Sequence, residues 1–169
     1  MKILETERLL VRTVEVDDAA FYLELVNSPG FIANIGDRGL RTEDAAREAI
    51  RTGPVAMQAA RGHAIWLVEI KESGVAIGMS GLIKRDTLDE VDIGYAFLPA
   101  YHGHGYAVEA ARAVVDYGRD VLGLKRLAAI ITPGNAASYA VVDKLGMVFS
   151  RMVYLTPSDT GTRLYEMTL

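Results

Sequence analysis

The stretch from Val91 to Ala107 reads VDIGYAFLPAYHGHGYA, and the rest of the chain is interpreted outward from it. Its first half, Val91–Leu98, predicts a strand that ends before Pro99, a residue without a backbone N–H. Its second half holds two glycines and leads into the apolar periodicity of a helix from Ala107 to Val121. The stretch therefore predicts a strand, a tight loop and a helix in immediate succession.

A loop of this kind can bind phosphate. The N-terminus of a helix presents unpaired N–H groups and a partial positive charge, and Gly103 and Gly105 let the backbone approach a ligand closely. The loop has neither the Gly-Lys-Ser/Thr ending of a P-loop nor the third glycine of a Rossmann turn, so those two classes fit poorly. Taken alone, the glycine pair is also compatible with a simple tight turn.

Two histidines, His102 and His104, flank Gly103. We expect them to donate hydrogen bonds to phosphate oxygens. Their spacing would allow both to ligate a metal, but no third ligand is evident nearby, so no metal site is predicted.

The segments around this stretch predict a mixed sheet. Upstream, Ala64–Ile70 and Ala76–Lys84 precede Val91–Leu98 with short turns between them, which is typical of an antiparallel meander. Downstream, the predicted helix separates Val91–Leu98 from a strand at Arg126–Ile131, and this crossover predicts that the two strands are parallel neighbours.

The remaining elements complete an α/β (α+β) fold, with a mostly antiparallel central sheet and helices on both faces, in a single domain over residues 1–169. They are predicted as a strand at Leu9–Val14, helices ending near Val26 and Arg51, a helix at Ala136–Leu145 and strands at Met147–Leu155 and Thr162–Thr168. The segments Asn27–Gly30 and Gly53-Pro54 are expected to stop the two early helices.

Composition excludes several classes of protein. The 169 residues include no cysteine, so disulfides, thiolate metal sites and a cysteine nucleophile are absent. The net charge is −4 and no basic block stands out, which disfavours nucleic acid as a partner. No apolar run approaches the roughly 20 residues of a membrane helix, and the N-terminus does not resemble a signal peptide, so a cytoplasmic location is expected.

These residues resemble the GNAT superfamily of acetyl-CoA N-acetyltransferases. The superfamily motif Gln/Arg-x-x-Gly-x-Gly/Ala aligns with residues 102–107, where Gly105 and Ala107 match and His102 departs from the usual Gln or Arg. The runs IGYAFLPAYHGHGYAVEA (93–110) and ETERLLVRTVEVDDA (5–19) are similar to the RimJ/RimL-like branch, which acetylates ribosomal-protein N-termini. That branch also has Asn-x-x-Ser followed by Lys-Leu-Gly, found here as Asn135, Ser138 and residues 144–146.

The resemblance implies a sheet splayed open between the strand ending at Leu98 and Arg126–Ile131, with acetyl-CoA as acetyl donor in the opening. The implied cofactor-binding residues are Ala96, Phe97 and Leu98 beside the pantetheine, His102, Gly103, His104, Gly105, Tyr106 and Ala107 at the pyrophosphate, and Asn135, Ser138 and Lys144. The acceptor would be a primary amine on a small molecule or a peptide. A homodimer is common in the family.

Amine acetylation needs a group that removes a proton and a donor for the leaving thiolate. The resemblance places Ser138 near the CoA sulfur as that donor, although a Ser at this spacing also suits helix capping. Many members carry a tyrosine acid where this chain has Val142. Asp92 and Glu69 are the candidate bases, each of which could instead be a solvated acid on an exposed face.

Four aromatic residues, Phe31, Trp66, Tyr95 and Tyr101, could line an acceptor pocket, and Trp66 is the one expected in the core. The missing tyrosine acid and the change at His102 keep a second function open. On that alternative, the chain is a non-catalytic acyl-CoA-binding or sensing module on the same fold.

Overall fold

The computed structural model describes residues 1–169. Its strands are β1 (Lys2–Glu5), β2 (Leu9–Thr13), β3 (Ile65–Ile70), β4 (Ala76–Ile83), β5 (Asp92–Phe97), β6 (Arg126–Ile131), β7 (Val148–Val153) and β8 (Thr162–Thr168). They form one sheet in the order β1-β2-β3-β4-β5-β6-β8-β7. Every neighbouring pair is antiparallel except β5 and β6, which are parallel. The predicted mixed, mostly antiparallel sheet is confirmed.

Helices cover both faces of this sheet, as predicted. They are α1 (Ala19–Val26), α2 (Pro29–Asn34), α3 (Glu43–Ile50), α4 (Ala56–Arg61), α5 (Tyr106–Asp120) and α6 (Ala136–Lys144). One hydrophobic core lies between the sheet and α5 and α6, and a second lies between the sheet and α1, α2 and α3. None of the helices has the length and apolar composition needed to cross a lipid bilayer.

The central strand β3 shows why the early part of the sheet reads as an almost continuous apolar run. Trp66 and Val68 point into the core beneath α5, while Leu67 between them points into the core beneath α1 and α3. Successive side chains of a strand alternate between its faces, so a strand covered on both sides is apolar at most positions, and Glu69 is the one charged residue of β3. The middle of the sheet is therefore packed against helices on both of its faces.

Three local features of the structure were not predicted. The stop at Asn27–Gly30 does end α1 at Val26, but Pro29 also begins a further helix, α2, because proline at the first helical position lacks only an N–H that would be unpaired there. Gly53-Pro54 does not stop the chain of helices, since a π-helical turn at Arg51–Val55 connects α3 to α4, and its wider spacing relieves the proline clash expected in an α-helix. The short β1 was not predicted.

The sheet opens between its two parallel strands. They share one register pair, Asp92 with Ala128, and a hydrogen bond of 2.9 Å from the Ala128 N–H to the Val91 carbonyl. Beyond that point β6 stays paired with β8 as far as Ile131, while β5 stays paired with β4 as far as Phe97. The carboxyl halves of β5 and β6 therefore diverge and leave a gap.

Candidate active site

A cleft of about 340 Å³ occupies this gap, bounded by β5, α2 and the N-terminal ends of α5 and α6. The predicted cofactor-binding residues line it, apart from Leu98 and His104. Leu98 lies in the core beneath α1 and α3, and His104 faces solvent on the outside of the loop. Elements far apart in the sequence thus meet around one cavity.

The loop before α5 has the backbone geometry of an anion site. Gly103 and Gly105 both have left-handed φ angles, +77° and +80°, which disfavour any residue with a Cβ. Gly105 is the N-cap of α5, and no side chain caps this helix. The N–H groups of its first turn are therefore free to bind a ligand, and the positive end of the helix dipole lies in the cleft wall.

Both loop histidines are already engaged with the backbone. The Nε2 of His102 lies 2.8 Å from the Phe97 carbonyl oxygen, and the Nδ1 of His104 lies 2.9 Å from the His102 carbonyl oxygen. A carbonyl only accepts, so each of these nitrogens carries a proton that is directed at the backbone. That proton is therefore not available to a phosphate oxygen, and only the other nitrogen of each ring could face a ligand.

The edge of β5 that faces the gap presents the backbone of Tyr95 and Phe97. The Leu98 N–H is bonded to the Ile77 carbonyl at 2.9 Å, and alternation along an antiparallel pair turns the backbone of Ala96 toward β4 as well. Of the three residues predicted to pair with pantetheine, Ala96 and Leu98 therefore have their polar backbone groups committed to β4, and Phe97 alone faces the gap. Tyr95 is the neighbour that the sequence analysis did not place in this role.

The Asn-x-x-Ser segment forms the first turn of α6. The Asn135 side chain caps the helix by accepting from the Ser138 N–H at 3.3 Å, and its Nδ2 donates to the Ser138 Oγ at 3.0 Å. Because the Oγ accepts this bond, the hydroxyl proton of Ser138 is left to point elsewhere. Ser138 lines the cleft, so that proton is available to a group bound there.

Tyr95 spans the floor of the gap. Its hydroxyl donates a 3.0 Å hydrogen bond to the backbone carbonyl of Ser138, which links β5 to α6 across the opening. Burial raises the pKa of Tyr95 to about 12. Tyr95 is therefore a neutral donor that fixes the position of Ser138.

The two predicted bases lie in different surroundings. Asp92 is buried at the root of the gap, where Oδ1 accepts from the Arg85 Nε at 3.0 Å and Oδ2 has no partner. Burial raises the pKa of Asp92, against the opposing effect of Arg85. Glu69 lies away from the cleft and pairs with the Arg12 Nε at 3.3 Å. This pairing, on a strand two places from β5, removes Glu69 from the candidate bases.

The outer wall of the cleft comes from α2, a segment too irregular to interpret from the sequence. Phe31, Asn34 and Ile35 line the cavity, and the Asn34 carbonyl accepts a 2.7 Å hydrogen bond from the Thr132 hydroxyl just after β6. This bond ties α2 to the far side of the gap. The Ser28-Pro29 pair, a cap residue followed by proline, is the signal that could have revealed the helix.

The remaining aromatic residues separate as expected. Tyr101 lines the cleft together with Phe31 and Tyr95, whereas Trp66 is fully buried in the core, where its ring meets Tyr117 edge-on at 5.3 Å. Lys144 also lines the cleft and takes part in no ion pair within 4.0 Å, so its charge is free for an anionic ligand.

Comparison with known proteins identifies the class of this fold and site. The acetyltransferase (GNAT) domain family matches residues 8–148. A Bacillus subtilis relative, the uncharacterized protein YkkB, is 33% identical over 153 residues, covering 89% of this chain and 87% of its own. Because the family match covers most of the chain, the protein belongs to the GNAT family and is an acetyl-CoA-dependent N-acetyltransferase.

Solved structures share the fold over almost the whole chain. An acetyltransferase from Agrobacterium tumefaciens superposes with a TM-score of 0.82 at 26% identity, over 99% of this chain and 94% of its own. RimL, a ribosomal α-N-protein acetyltransferase in complex with coenzyme A, gives 0.83 at 14% identity, over 100% and 98%. A spermidine N-acetyltransferase from Vibrio cholerae, in complex with CoA and spermine, gives 0.78 at 15% identity, over 96% of each. The last two are similar in fold only, and their acceptors differ.

Proposed function

We propose that the protein transfers an acetyl group from acetyl-CoA directly to a primary amine while both are bound. The observation that carries this proposal is the cleft itself, in which an uncapped helix N-terminus, a free strand edge and the Ser138 hydroxyl lie around one gap. The absence of cysteine supports direct transfer over a thioester intermediate on the protein.

The residues of the cleft suit successive parts of the donor. The backbone N–H groups around Gly103 and Gly105, with Lys144 nearby, would hold the pyrophosphate. The edge of β5 at Tyr95 and Phe97 is not paired with another strand and would pair with the amide groups of pantetheine, with the Phe97 carbonyl shared with His102. This arrangement brings the thioester toward Ser138 and the root of the gap.

In the reaction, the amine nitrogen forms a bond to the acetyl carbon, the carbon–sulfur bond breaks and the thiolate takes up a proton or a hydrogen bond. We assign the donation to the thiolate to the Ser138 hydroxyl. Its Oγ accepts from the Asn135 Nδ2, which leaves its own proton free, and the Tyr95 hydroxyl holds its backbone carbonyl in place. Val142, where many members have a tyrosine, is fully buried and offers no alternative donor.

The amine must lose a proton, and Asp92 is our candidate to receive it through water. Its Oδ2 has no partner although the residue is buried, and its raised pKa makes it a stronger base than a solvated aspartate. Asp92 forms the one register pair between β5 and β6, where the two strands begin to diverge, and its side chain does not itself line the cleft.

We propose that the acceptor is a primary amine, without naming a particular compound. The likeness to the RimJ/RimL branch favours a protein N-terminus, and the fold is also shared with a polyamine enzyme, so the acceptor has to be found by screening. The panel contains peptide N-termini, free amino acids, polyamines and aminoglycosides.

A thiol-release assay tests this function. Because the chain has no cysteine, a thiol reagent reports only the CoA that is set free. We expect release that depends on both the protein and an amine. Binding of acetyl-CoA without release for any amine would instead favour the sensing module, which the departures at His102 and Val142 support.

A further inference from the structure

Arg8 lies in the turn between β1 and β2, far in sequence from the motif at residues 102–107, and it contacts the glycine loop of that motif, residues 103–107, which we call the phosphate loop. Its Nη1 donates to the His104 carbonyl at 3.0 Å, and its guanidinium carbon lies 4.4 Å from the centre of the Tyr106 ring. A Cβ added to Gly105 would come within 3.4 Å of its Nη2. One side chain from the start of the chain thus contacts His104 and Tyr106 and leaves little room for a side chain at Gly105 between them.

The same guanidinium is held by Glu109 in the first turn of α5. Its Nε donates to Glu109 Oε2 at 2.7 Å, while the Arg8 N–H and the Thr6 hydroxyl donate to Oε1 at 3.0 and 2.6 Å. Burial raises the pKa of Glu109, but these bonds outweigh it and hold the pKa below its usual range. Glu109 is therefore ionised and anchors the turn at residues 6–8 to α5.

An ionised glutamate in the first turn of α5 has a consequence for ligand binding. Alone, it would occupy the positive end of the helix and repel a pyrophosphate. Paired with Arg8, its charge is compensated within the same cluster, and the helix end stays favourable to an anion. The pair also fixes the loop, because Arg8 bonds to Glu109 and to His104 at once.

We propose that Arg8 is a positioning residue for the donor: it holds the loop at residues 103–107 in its anion-binding conformation and neutralises Glu109 beside it. The proposal rests on the proposed function, since it concerns the same cofactor cleft. It assigns the support of this loop to the β1–β2 turn, outside the motif itself.

The test compares Arg8→Ala with the parent by calorimetric titration with CoA and by amide hydrogen exchange without ligand. We expect Arg8→Ala to weaken CoA binding by about tenfold, because the loop is released and Glu109 is left uncompensated. Exchange should speed up at the Glu109 amide, which is bonded to the Gly105 carbonyl and is the first protected amide after the loop, and remain unchanged in β6. Arg47→Ala is the matched control, because Arg47 also pairs with neighbouring acids on a helix but lies on α3.

Arg8→Lys separates geometry from charge. Lysine keeps the charge beside Glu109 but cannot also bond to His104 and cover Tyr106, so it should restore only part of the affinity. Parent-like affinity and exchange in Arg8→Ala would overturn the proposal, and full rescue by lysine would overturn the positioning role. Failure of the parent to bind CoA would instead count against the proposed function.

Discussion

Ser138 and Asn135 serve the helix and the cleft with one set of hydrogen bonds. Asn135 is the cap of α6, as its spacing predicts, and its second bond leaves the Ser138 hydroxyl proton unused. The sequence predicted both residues as cap and as cofactor neighbours without choosing between the roles. The choice depends on hydroxyl geometry and on Tyr95 across the gap, which only the folded chain brings together.

Replacing Ser138 by alanine tests its role with the thiolate. A lost hydrogen bond to a charged group costs about 1.5–3 kcal/mol, so kcat should fall roughly 10- to 100-fold. Affinity for CoA and the melting temperature should change little, because Asn135 still caps α6. Ser150→Ala on the exposed strand β7 is the control. Unchanged kcat in Ser138→Ala would exclude this hydroxyl from the chemistry.

Asp92 gives a prediction about stability and pH. Its folded-state pKa is raised from 3.8 by burial, so the ionised form destabilises the native state at neutral pH and above. Asp92→Asn should therefore melt at a higher temperature than the parent near pH 8. The difference should shrink as the pH falls through the raised pKa, and it should level off below 3.8, where the parent carboxyl is protonated in both the folded and the unfolded state.

The Asp92→Asn variant also distinguishes two roles for Asp92, as a general base in the reaction and as the partner of Arg85 in an ion pair. If Asp92 accepts the amine proton, Asp92→Asn should lose at least about tenfold in kcat while gaining stability. Arg85 remains partly exposed, so water can solvate it once the carboxylate is gone. A stabilised variant with full turnover would limit Asp92 to its pair with Arg85.

At the scale of elements, the strand, loop and helix around residues 91–120 and the parallel crossover to β6 could all be predicted from local patterns. Two short elements could not. The four residues of β1 form a strand only because β2 pairs with them, and α2 depends on contacts with the cleft and on the Thr132 bond. Short elements gain little from intrinsic propensity, so tertiary contacts determine them.

The phosphate loop yields a prediction with an internal control. Gly105 and Gly123 have similar left-handed φ angles, +80° and +68°, but only Gly105 lies at the cleft. Alanine at either position should lower stability by roughly 1–2 kcal/mol through backbone strain. Only Gly105→Ala should also weaken CoA binding, measured by calorimetry. Equal CoA affinity in both variants would argue against the loop as the pyrophosphate site.

At the scale of the whole molecule, the cleft exists because a sheet buried on both faces comes apart at one strand pair. Local periodicity predicted that β5 and β6 are neighbours but not that they share a single register pair. That opening was expected only from the family resemblance, because strand divergence is set by packing against α2, α5 and α6. Position in the fold, more than any single side chain, brings loop, strand edge and Ser138 together.

Thermal unfolding with and without acetyl-CoA tests the central claim, that this opening binds the donor. At about 100 times its dissociation constant, a ligand stabilises the native state by roughly 2.7 kcal/mol, which raises the melting temperature of a protein of this size by roughly 5–10 °C. We predict such a rise with acetyl-CoA and with CoA, and none with ATP or NAD. No shift with millimolar acetyl-CoA, or an equal shift with all four compounds, would contradict the account.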